Sequence, residues 1–350
     1  MFRFFKKDMM LLFVVIFASS VLIACEAEET IKEIEIANDP GELVVYSGRS
    51  SSLIGPIIKQ FEEMTGIEVR VKYGKTGEIA AVLLEEGSKS PADIFFAQDP
   101  GGLAVVVNNG MTEKINSSIL AKVPSWAQSV DGMWVGTSGR ARTVVYNTAN
   151  IDPLTDLPET LQGFCDSKWK GRIGWPPTNG SFQAMITAMR SQWGEDKARE
   201  WLECIKANEP IAYSKNTPTV AAVGAGEIDV GFVNHYYLYR FLAESGDSFE
   251  ARNHYLNSKG PGSLMMVAGA AVLKTGKNKD NADRFLNFIL SRVAQQYFTG
   301  QTYEYPLVEG VIVNRLLTHL DDLNMAELDM TDLEDLAGTQ DLLREVGLID

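Results

Sequence analysis

The sequence has few of the residues that build most protein metal centres and nucleophilic active sites. Its 350 residues include three cysteines and three histidines. It contains neither the HExxH motif of zinc proteases nor the GxSxG turn of serine hydrolases, and no Cys/His spacing is typical of a zinc site. A secreted metal-dependent hydrolase is therefore kept only as an alternative from another class. Cys165 and Cys204 either form a disulfide or are buried as small hydrophobic residues.

Basic residues are also scarce. The chain has 32 Lys and Arg against 46 Asp and Glu, which gives a net charge of −14. The segment Asp321–Asp350 is especially acidic and contains one basic residue, Arg344. An acidic surface repels phosphate backbones, so we expect no nucleic-acid partner. The acidic segment itself predicts a solvated helical tail.

Long apolar runs are limited to one, near the N-terminus. Arg3, Lys6 and Lys7 precede an uncharged stretch, "LLFVVIFASSVLIA", that is short for a membrane span. It ends at Ala24-Cys25 in a pattern that resembles a bacterial lipobox. We predict a lipoprotein signal peptide at 1–24, acylation of Cys25 and an acidic tether at 25–41. The protein would then be extracytoplasmic and held at the cell membrane by lipid without spanning it; the alternative is an uncleaved signal anchor.

The rest of the chain alternates between strand and helix patterns. "ELVVYSGRSS" is followed by apolar residues at helical spacing, and the same order recurs through the middle of the sequence. This alternation is typical of an α/β fold with parallel sheets covered by helices. The length favours two lobes, joined by crossing strands that we place at Ser138–Asn147 and Leu264–Leu273. The predicted boundaries assign residues 42–140 with 267–317 to lobe 1, and residues 141–266 with 318–350 to lobe 2.

Polar loops follow the predicted strands, at the edge where doubly wound sheets bind ligands. One of them contains the adjacent pair Tyr236 and Tyr237, in "NHYY". Adjacent tyrosines usually consist of one core ring and one rim ring, but this position favours a role in ligand binding. The loops concerned are Ser47–Ser52, Gln98–Asp99, Thr178–Ser181, Ser214–Thr217 and Asn234–Tyr237.

The order and spacing of several short motifs resemble the iron(III)-binding proteins of bacterial ABC importers, over nearly all of Glu42–Gly310. The matching stretches are "VYSGR", "FEEMTGIEV", "EEGSKSPADIFFAQ", "SGRARTVVYN", "KWKGRIGWPPTNGSF", "NHYY", "AGAAVLK" and "YEYPLV". The resemblance implies a two-lobed periplasmic-binding-protein fold of type II, with hinge strands between the lobes. It also implies that the protein is a monomer, that it is not an enzyme, and that it delivers ferric iron to an inner-membrane ABC permease with a cytoplasmic ATPase.

In that family an adjacent tyrosine pair ligates ferric iron, which implies this role for Tyr236 and Tyr237. The chemistry is reasonable in itself, since ferric iron is a hard cation that prefers anionic oxygen. A bound cation can displace a phenol proton although the reference pKa is about 10. His235 is expected to be a neighbour of the ligands or a surface residue rather than a ligand itself.

The chain departs from the family at other ligand positions. Ser50 and Gln98 stand where many relatives have stronger donors, so either Asp99 joins the coordination shell or an exogenous anion completes it. We favour a synergistic anion, phosphate or carbonate. The resemblance gives the anion-binding role to the loop of Asn179, Gly180 and Ser181, at a predicted helix start. The further candidate anion-binding residues are Asn216, Asn234, Arg49, Arg140 and Arg142.

Structural roles without ligand binding remain possible for several of these residues. Thr178–Ser181 could serve only as a helix cap, and Arg140 and Arg142 could be surface charges on a strand. Tyr146, Tyr213, Tyr303 and Tyr305 are expected to be packing residues. Within the binding-protein class, the alternative is a protein that binds an oxyanion or organic acid without iron.

Overall fold

Strands and helices alternate along residues 40–350, which is the part of the chain that the computed structural model describes. The predicted signal peptide at 1–24, the lipidation site Cys25 and nearly all of the tether at 25–41 lie outside the described residues. None of the helices formed by residues 40–350 combines the length and the apolar character needed to cross a membrane.

Nine strands build the sheet structure of residues 40–350. They are β1 (Glu42–Ser47), β2 (Glu68–Tyr73), β3 (Ile94–Ala97), β4 (Val135–Asn147), β5 (Ile173–Trp175), β6 (Ile211–Ala212), β7 (Val230–Asn234), β8 (Ala251–His254) and β9 (Met265–Val272).

The α-helices of the described residues follow the strands. They are α1 (Ser51–Thr65), α2 (Thr76–Glu86), α3 (Pro100–Asn108), α4 (Ser117–Leu120), α5 (Gly180–Trp193), α6 (Glu195–Ala207), α7 (Asn216–Gly224), α8 (Tyr236–Ser245), α9 (Lys279–Ile289), α10 (Arg292–Gln301) and α11 (Leu336–Glu345). In α1 the residues at helical spacing, such as Leu53, Ile57 and Phe61, are buried, and the helix ends at Gly66, whose φ of 73° suits glycine.

The strand order is β2-β1-β3-β9-β4-β7-β5-β6, with β8 paired to β4. As expected for βαβ units, β1 runs parallel to β2 and β3, and β5 runs parallel to β6 and β7. The centre differs from the parallel pattern, because β9 is antiparallel to both β3 and β4, and β4 is antiparallel to β7 and β8. Parallel strands that follow one another are joined by a helix, which the sequence pattern shows. Antiparallel pairing of two segments that are far apart in the chain has no such connecting helix, so the sequence did not predict it.

Two strands connect the halves of this sheet. Residues Val135–Ala141 of β4 pair with β9, whereas Arg142–Asn147 pair with β7 and β8. In the same way β9 pairs with β4 through its first part and with β3 through its second. These strands overlap the crossing strands predicted at Ser138–Asn147 and Leu264–Leu273, and every residue of both is buried.

Two main hydrophobic cores lie on either side of the crossing strands. In the first core, Phe61 contacts Phe285 edge-to-face with ring centroids 5.3 Å apart. In the second core, Phe164 meets Phe232 in the same way at 5.4 Å. Core membership along β4 changes between Val135, in the first, and Val144, in the second. The exact lobe boundaries stay a prediction.

The C-terminal segment, predicted as a solvated tail, packs against both cores. Met330 and Leu333 are buried in the first core, whereas Leu342 and Leu343 of α11 are buried in the second. The apolar face of α11 therefore anchors the segment, while most of its acidic side chains point to solvent.

Cys165 and Cys204 form a disulfide, with their Cα atoms 5.3 Å apart. Of the two readings that the sequence left open, the structure shows the pairing. The bond ties the short helix Leu161–Cys165 to α6, across 39 positions of the chain.

Candidate metal and anion site

Tyr236 and Tyr237 begin α8, directly after β7. Tyr236 is fully buried and Tyr237 is half-buried, and their rings stack with centroids 4.2 Å apart and an interplanar angle of 28°. The hydroxyl of Tyr236 is buried and finds no hydrogen-bond partner within residues 40–350. The hydroxyl of a buried core tyrosine normally has a hydrogen-bond partner. Tyr236 is as buried as a core tyrosine, but its hydroxyl lacks that partner within residues 40–350.

The surroundings of Tyr236 favour the neutral phenol when no cation is bound. Burial, followed by the neighbouring Tyr237, raises the pKa of Tyr236 well above its ordinary value. The charges of Arg140 and Arg49 lower that pKa but do not overcome burial. Only a strong Lewis acid close to the oxygen would therefore ionise this phenol near neutral pH.

Three arginines predicted as anion clamps are buried beside the tyrosines, so they are not surface charges on a strand. Arg49 and Arg140 are 0% exposed and Arg142 is 1% exposed. Arg140 donates through Nη2 to the carbonyl of Gln98, and Arg142 donates through Nη1 to Asn234 Oδ1 at 3.0 Å. Nε and Nη1 of Arg140, and Nε and Nη2 of Arg142, are buried without a hydrogen-bond partner in the described part of the chain.

The three arginines differ in how their charge is balanced. Burial opposes the charge on Arg49, but the adjacent Glu304 outweighs burial and raises the pKa of Arg49. Burial lowers the pKa of Arg142 to about 9, and the phenols of Tyr237 and Tyr236 offset this only in part. Arg142 is thus a desolvated cation whose position favours a negatively charged ligand.

The predicted anion-binding residues of lobe 2 come together at the start of α5. Asn179 caps the helix, with Oδ1 accepting hydrogen bonds from Ser181 N at 3.1 Å and Ser181 Oγ at 2.6 Å. Asn216 Nδ2 donates to the same Asn179 oxygen at 3.2 Å and to Ser181 Oγ at 3.1 Å. Arg142 Nη1 reaches Ser181 Oγ at 3.5 Å. Asn179 therefore does cap α5, and the side-chain donors of Asn216 and Arg142 lie around the same helix start.

The candidates from lobe 1 occupy different surroundings. Ser50 is exposed, and its hydroxyl lies 3.1 Å from Ser52 Oγ at the surface. Gln98 is half-buried, and its backbone N–H donates to Thr76 Oγ1 at 3.1 Å. Asp99 is buried and caps α3, accepting from Gly102 N at 3.0 Å through Oδ1. Burial raises the pKa of Asp99, although Gly102 N–H and the charge of Arg140 act in the opposite direction.

Sequence reasoning missed Glu304, which is fully buried in this region. Its carboxylate accepts from Arg49 Nη2 at 2.6 Å and Nη1 at 3.1 Å, and from the hydroxyl of Ser138 on β4. Burial alone would raise the pKa of Glu304, but Arg49, Arg140 and Ser138 hold it below its usual range. Three candidate arginines in one cleft could have prompted a search for a buried acidic partner in "YEYPLV".

His235 is buried beneath the tyrosine pair, so it is a neighbour of the pair and not a surface residue. Its Nδ1 accepts from Ala141 N at 3.1 Å, and Nε2 lies 2.8 Å from the carbonyl of Tyr303, which requires the proton on Nε2. Burial lowers the pKa of His235 to about 4. Both ring nitrogens are occupied by backbone groups, as expected for a residue that is not a ligand.

The predicted packing tyrosines lie in the apolar surroundings that were expected of them. Tyr305 is 1% exposed, with its ring 4.9 Å from that of His235, and Tyr303 stacks on Tyr239 at 5.2 Å. Within residues 40–350, no group of three or more His, Cys, Asp or Glu side chains is placed to hold a metal ion.

The profile of a family described as bacterial extracellular solute-binding protein matches residues 89–322. The chain belongs to that family. This solute-binding protein is 32% identical over 311 residues to the major ferric iron-binding protein of Neisseria meningitidis serogroup B, covering 88% of this chain and 93% of the relative. It is 29% identical over 338 residues to the Fe(3+)-binding periplasmic protein of Serratia marcescens, covering 96% and 97%.

Among solved structures, the solute-binding protein resembles iron-bound HitA from Pseudomonas aeruginosa. The TM-score is 0.84 and the identity 34%, over 88% of this chain and all of that one. These similarities confirm the resemblance drawn from the motifs, and with it the two-lobed type II fold. The family binds solutes, so the prediction that the protein is not an enzyme is confirmed and the hydrolase alternative is not supported.

Proposed function

We propose that this protein captures ferric iron together with a synergistic oxyanion in the cleft between its lobes, and delivers the iron to an ABC permease. The observation that carries the proposal is the buried hydroxyl of Tyr236, which lacks a hydrogen-bond partner within residues 40–350 and whose ring is stacked on Tyr237. The names of the relatives support iron as the solute.

The two phenols suit ferric iron for an electrostatic reason. Loss of both protons supplies two anionic oxygens, the donor type that a hard trivalent cation prefers. Burial stabilises the neutral phenol of Tyr236 in the iron-free protein, so iron binding to its oxygen must release a proton. The site therefore discriminates against weaker Lewis acids, which cannot offset the cost of ionising a buried phenol.

An anion is needed because the surrounding charge is positive. Arg49 is neutralised by Glu304, whereas Arg140 and Arg142 have no ion-pair partner among the described residues. Ferric iron and two phenolates add a further net positive charge. Phosphate or carbonate at the start of α5 would accept hydrogen bonds from Arg142 and Asn234, and would supply one or two further oxygen ligands. Ser50, Gln98 and Asp99 are not needed as iron ligands in this arrangement.

Delivery would use the hinge and the membrane anchor. β4 and β9 cross between the lobes, so bending there would open the cleft and expose the ion to a permease energised by its cytoplasmic ATPase. Acylation of Cys25 after removal of residues 1–24 would keep the protein, as a monomer, close to that permease at the cell membrane.

The tyrosine pair is tested by removing one hydroxyl at a time. Tyr236→Phe and Tyr237→Phe keep the rings, so we expect normal folding but a loss of ferric binding of at least about a hundredfold, because each removes an anionic ligand. The measurement is the visible phenolate-to-iron absorption band after loading with ferric citrate, followed by competition with a chelator.

Tyr239→Phe is the matched control, since Tyr239 lies on the same helix, is 7% exposed and stacks on Tyr303. It should keep the band. A parent protein that stays colourless while binding phosphate or a carboxylate would instead support the alternative of an oxyanion-binding protein without iron. The only observation in residues 40–350 that favours this alternative is the burial of the Arg140 and Arg142 guanidinium groups.

A further inference from the structure

Asp99 differs from the other candidates of lobe 1 because its carboxylate touches the element that faces it across the cleft. Its Oδ1 caps α3 through Gly102 N. On the other side, a Cβ placed on Gly180 would lie 3.0 Å from Asp99 Oδ2 and 3.9 Å from its Cγ. Gly180 is the first residue of α5, whose early N–H groups have no partner within the helix. One carboxylate thus lies at the starts of two helices, one on each side of the cleft.

The start of α5 has independent features of an oxyanion site. Arg142 is 1% exposed and Asn234 is 0% exposed. Across the described residues, Nε and Nη2 of Arg142 and Nδ2 of Asn234 are buried donors without an acceptor. Buried donors of this kind are normally satisfied, and a charged one benefits most from a negative partner. Asp99 is the carboxylate that reaches this helix start in the structure.

Both oxygens of Asp99 are therefore used away from the tyrosines. Oδ1 is held by the cap, and Oδ2 lies against Gly180. Neither contact involves Tyr236, whose hydroxyl has no hydrogen-bond partner within residues 40–350. An oxygen of phosphate or carbonate bound beside Gly180 would have to share this space with Asp99 Oδ2.

We propose that Asp99 is an intramolecular oxyanion: in the closed, iron-free protein its carboxylate occupies the anion position at the start of α5, joins the lobes there, and is displaced by phosphate or carbonate when iron is captured. This inference rests on the proposed function for its account of the displaced state. Asp99 sets how strongly the site selects its anion, and it is not an iron ligand.

The carboxylate is suited to being displaced. Its burial raises the pKa of Asp99, because little water surrounds the charge and Arg140 compensates only in part. Asp99 accepts no hydrogen bond from the free donors of Arg142 and Asn234, whereas phosphate or carbonate at the helix start would accept from both. Exogenous phosphate must still compete with a tethered group, so its apparent affinity is reduced by the fraction of molecules in which Asp99 fills the site.

The test is the affinity of the purified, iron-free protein for inorganic phosphate, measured by calorimetry. Asp99→Asn keeps an oxygen for the cap but removes the charge, and Asp99→Ser keeps a capping oxygen on a shorter side chain. Both should bind phosphate about tenfold or more tightly than the parent, because the competitor is gone. Asp166→Asn is the control: Asp166 is exposed and caps the short helix Ser167–Trp169 through Lys168 N at 2.9 Å, and phosphate affinity should not change.

A second measurement separates the anion role from an iron-ligand role. At saturating phosphate, Asp99→Asn should keep the phenolate-to-iron band and the ferric affinity of the parent, because the anion has already displaced Asp99. Phosphate affinity equal to or weaker than that of the parent in both variants, or loss of the ferric band at saturating phosphate, would overturn the proposal. Failure of the iron function itself would look different: the parent would show no ferric band with any anion, while the iron-free phosphate titration would still decide the role of Asp99.

Discussion

At the scale of single residues, the cleft is defined by an imbalance of buried charge. Arg49 and Glu304 form a fully buried ion pair, with 2.6 Å between Nη2 and Oε1. Arg140 and Arg142 lie in the same region without a carboxylate hydrogen-bonded to them in residues 40–350. One guanidinium is thus neutralised by a carboxylate, and the other two lack such a partner, which is the arrangement that the proposed anion site requires.

Glu304→Gln tests this division. It leaves Arg49 buried without its counter-charge, so we expect a loss of about 3–5 kcal/mol of stability in denaturant unfolding at neutral pH. The pKa of Glu304 is lower in the folded protein than its usual value, so its contribution is present above the unfolded pKa and is lost as the pH falls through the folded one. The variant should therefore lose stability less steeply on acidification than the parent does.

Glu327→Gln serves as the control for charge removal, because Glu327 pairs with Lys259 at the surface and should change stability little. If Glu304→Gln is as stable as the parent, the charge of Arg49 must be balanced by a group other than Glu304.

At the scale of elements, the start of α5 combines a helix cap with the proposed anion site. Asn179→Ala removes the acceptor for Ser181 and Asn216, which should cost about 1 kcal/mol of stability. Asn179 Oδ1 holds the side chains of Ser181 and Asn216 in place. Without it these side chains should be less well positioned to bind phosphate, so phosphate affinity should fall several-fold as well. Calorimetry with phosphate and thermal unfolding measure the two effects separately.

The control for that change is Ser291→Ala, at the start of α10, where Ser291 Oγ accepts from Ala294 N at 3.3 Å. It should reduce stability to a similar extent and leave phosphate binding unchanged. Loss of stability without loss of phosphate affinity in Asn179→Ala would mean that the loop is only a cap.

The sequence predicted the elements of this site better than their contacts. Loops after strands could be located because apolar strands and helical spacing are local signals, and Tyr236 and Asn179 were found in this way. The ion pair of Arg49 with Glu304 joins positions 255 residues apart, and the contact of Asp99 with Gly180 depends on how the lobes close. The antiparallel pairing of β9 with β3 and β4 is equally non-local. None of these has a periodic pattern that a single sequence can show.

At the scale of the whole molecule, the lobes are joined by the C-terminal segment as well as by the two crossing strands. β4 and β9 form the crossing strands, and the C-terminal segment supplies a third connection. A Cβ placed on Gly101 of α3 would lie 3.4 Å from Leu336 Cβ, while Arg190 of α5 forms an ion pair with Asp335 at 2.9 Å. The segment therefore contacts α3 and α5, the two helices whose starts meet at Asp99. Opening of the cleft must bend the strands and also shift this segment over one of its helices.

Closure by ligand should be visible in solution as a change in size. A closed body of this length has a radius of gyration of about 20 Å, and opening at the crossing strands would increase it. Because Asp99 closes only the fraction of iron-free molecules in which it fills the anion position, we expect small-angle scattering to give a smaller radius with iron and phosphate than without them. In Tyr236→Phe with Tyr237→Phe, iron should produce no such decrease, because the ligands that hold the two lobes around the ion are missing.

Iron-free Asp99→Asn should be larger than the iron-free parent, since it lacks the carboxylate that contacts Gly180 across the cleft. An unchanged radius of the parent with and without iron and phosphate, together with the same radius for iron-free Asp99→Asn, would contradict hinged closure and would indicate that the cleft binds its solute as a rigid body.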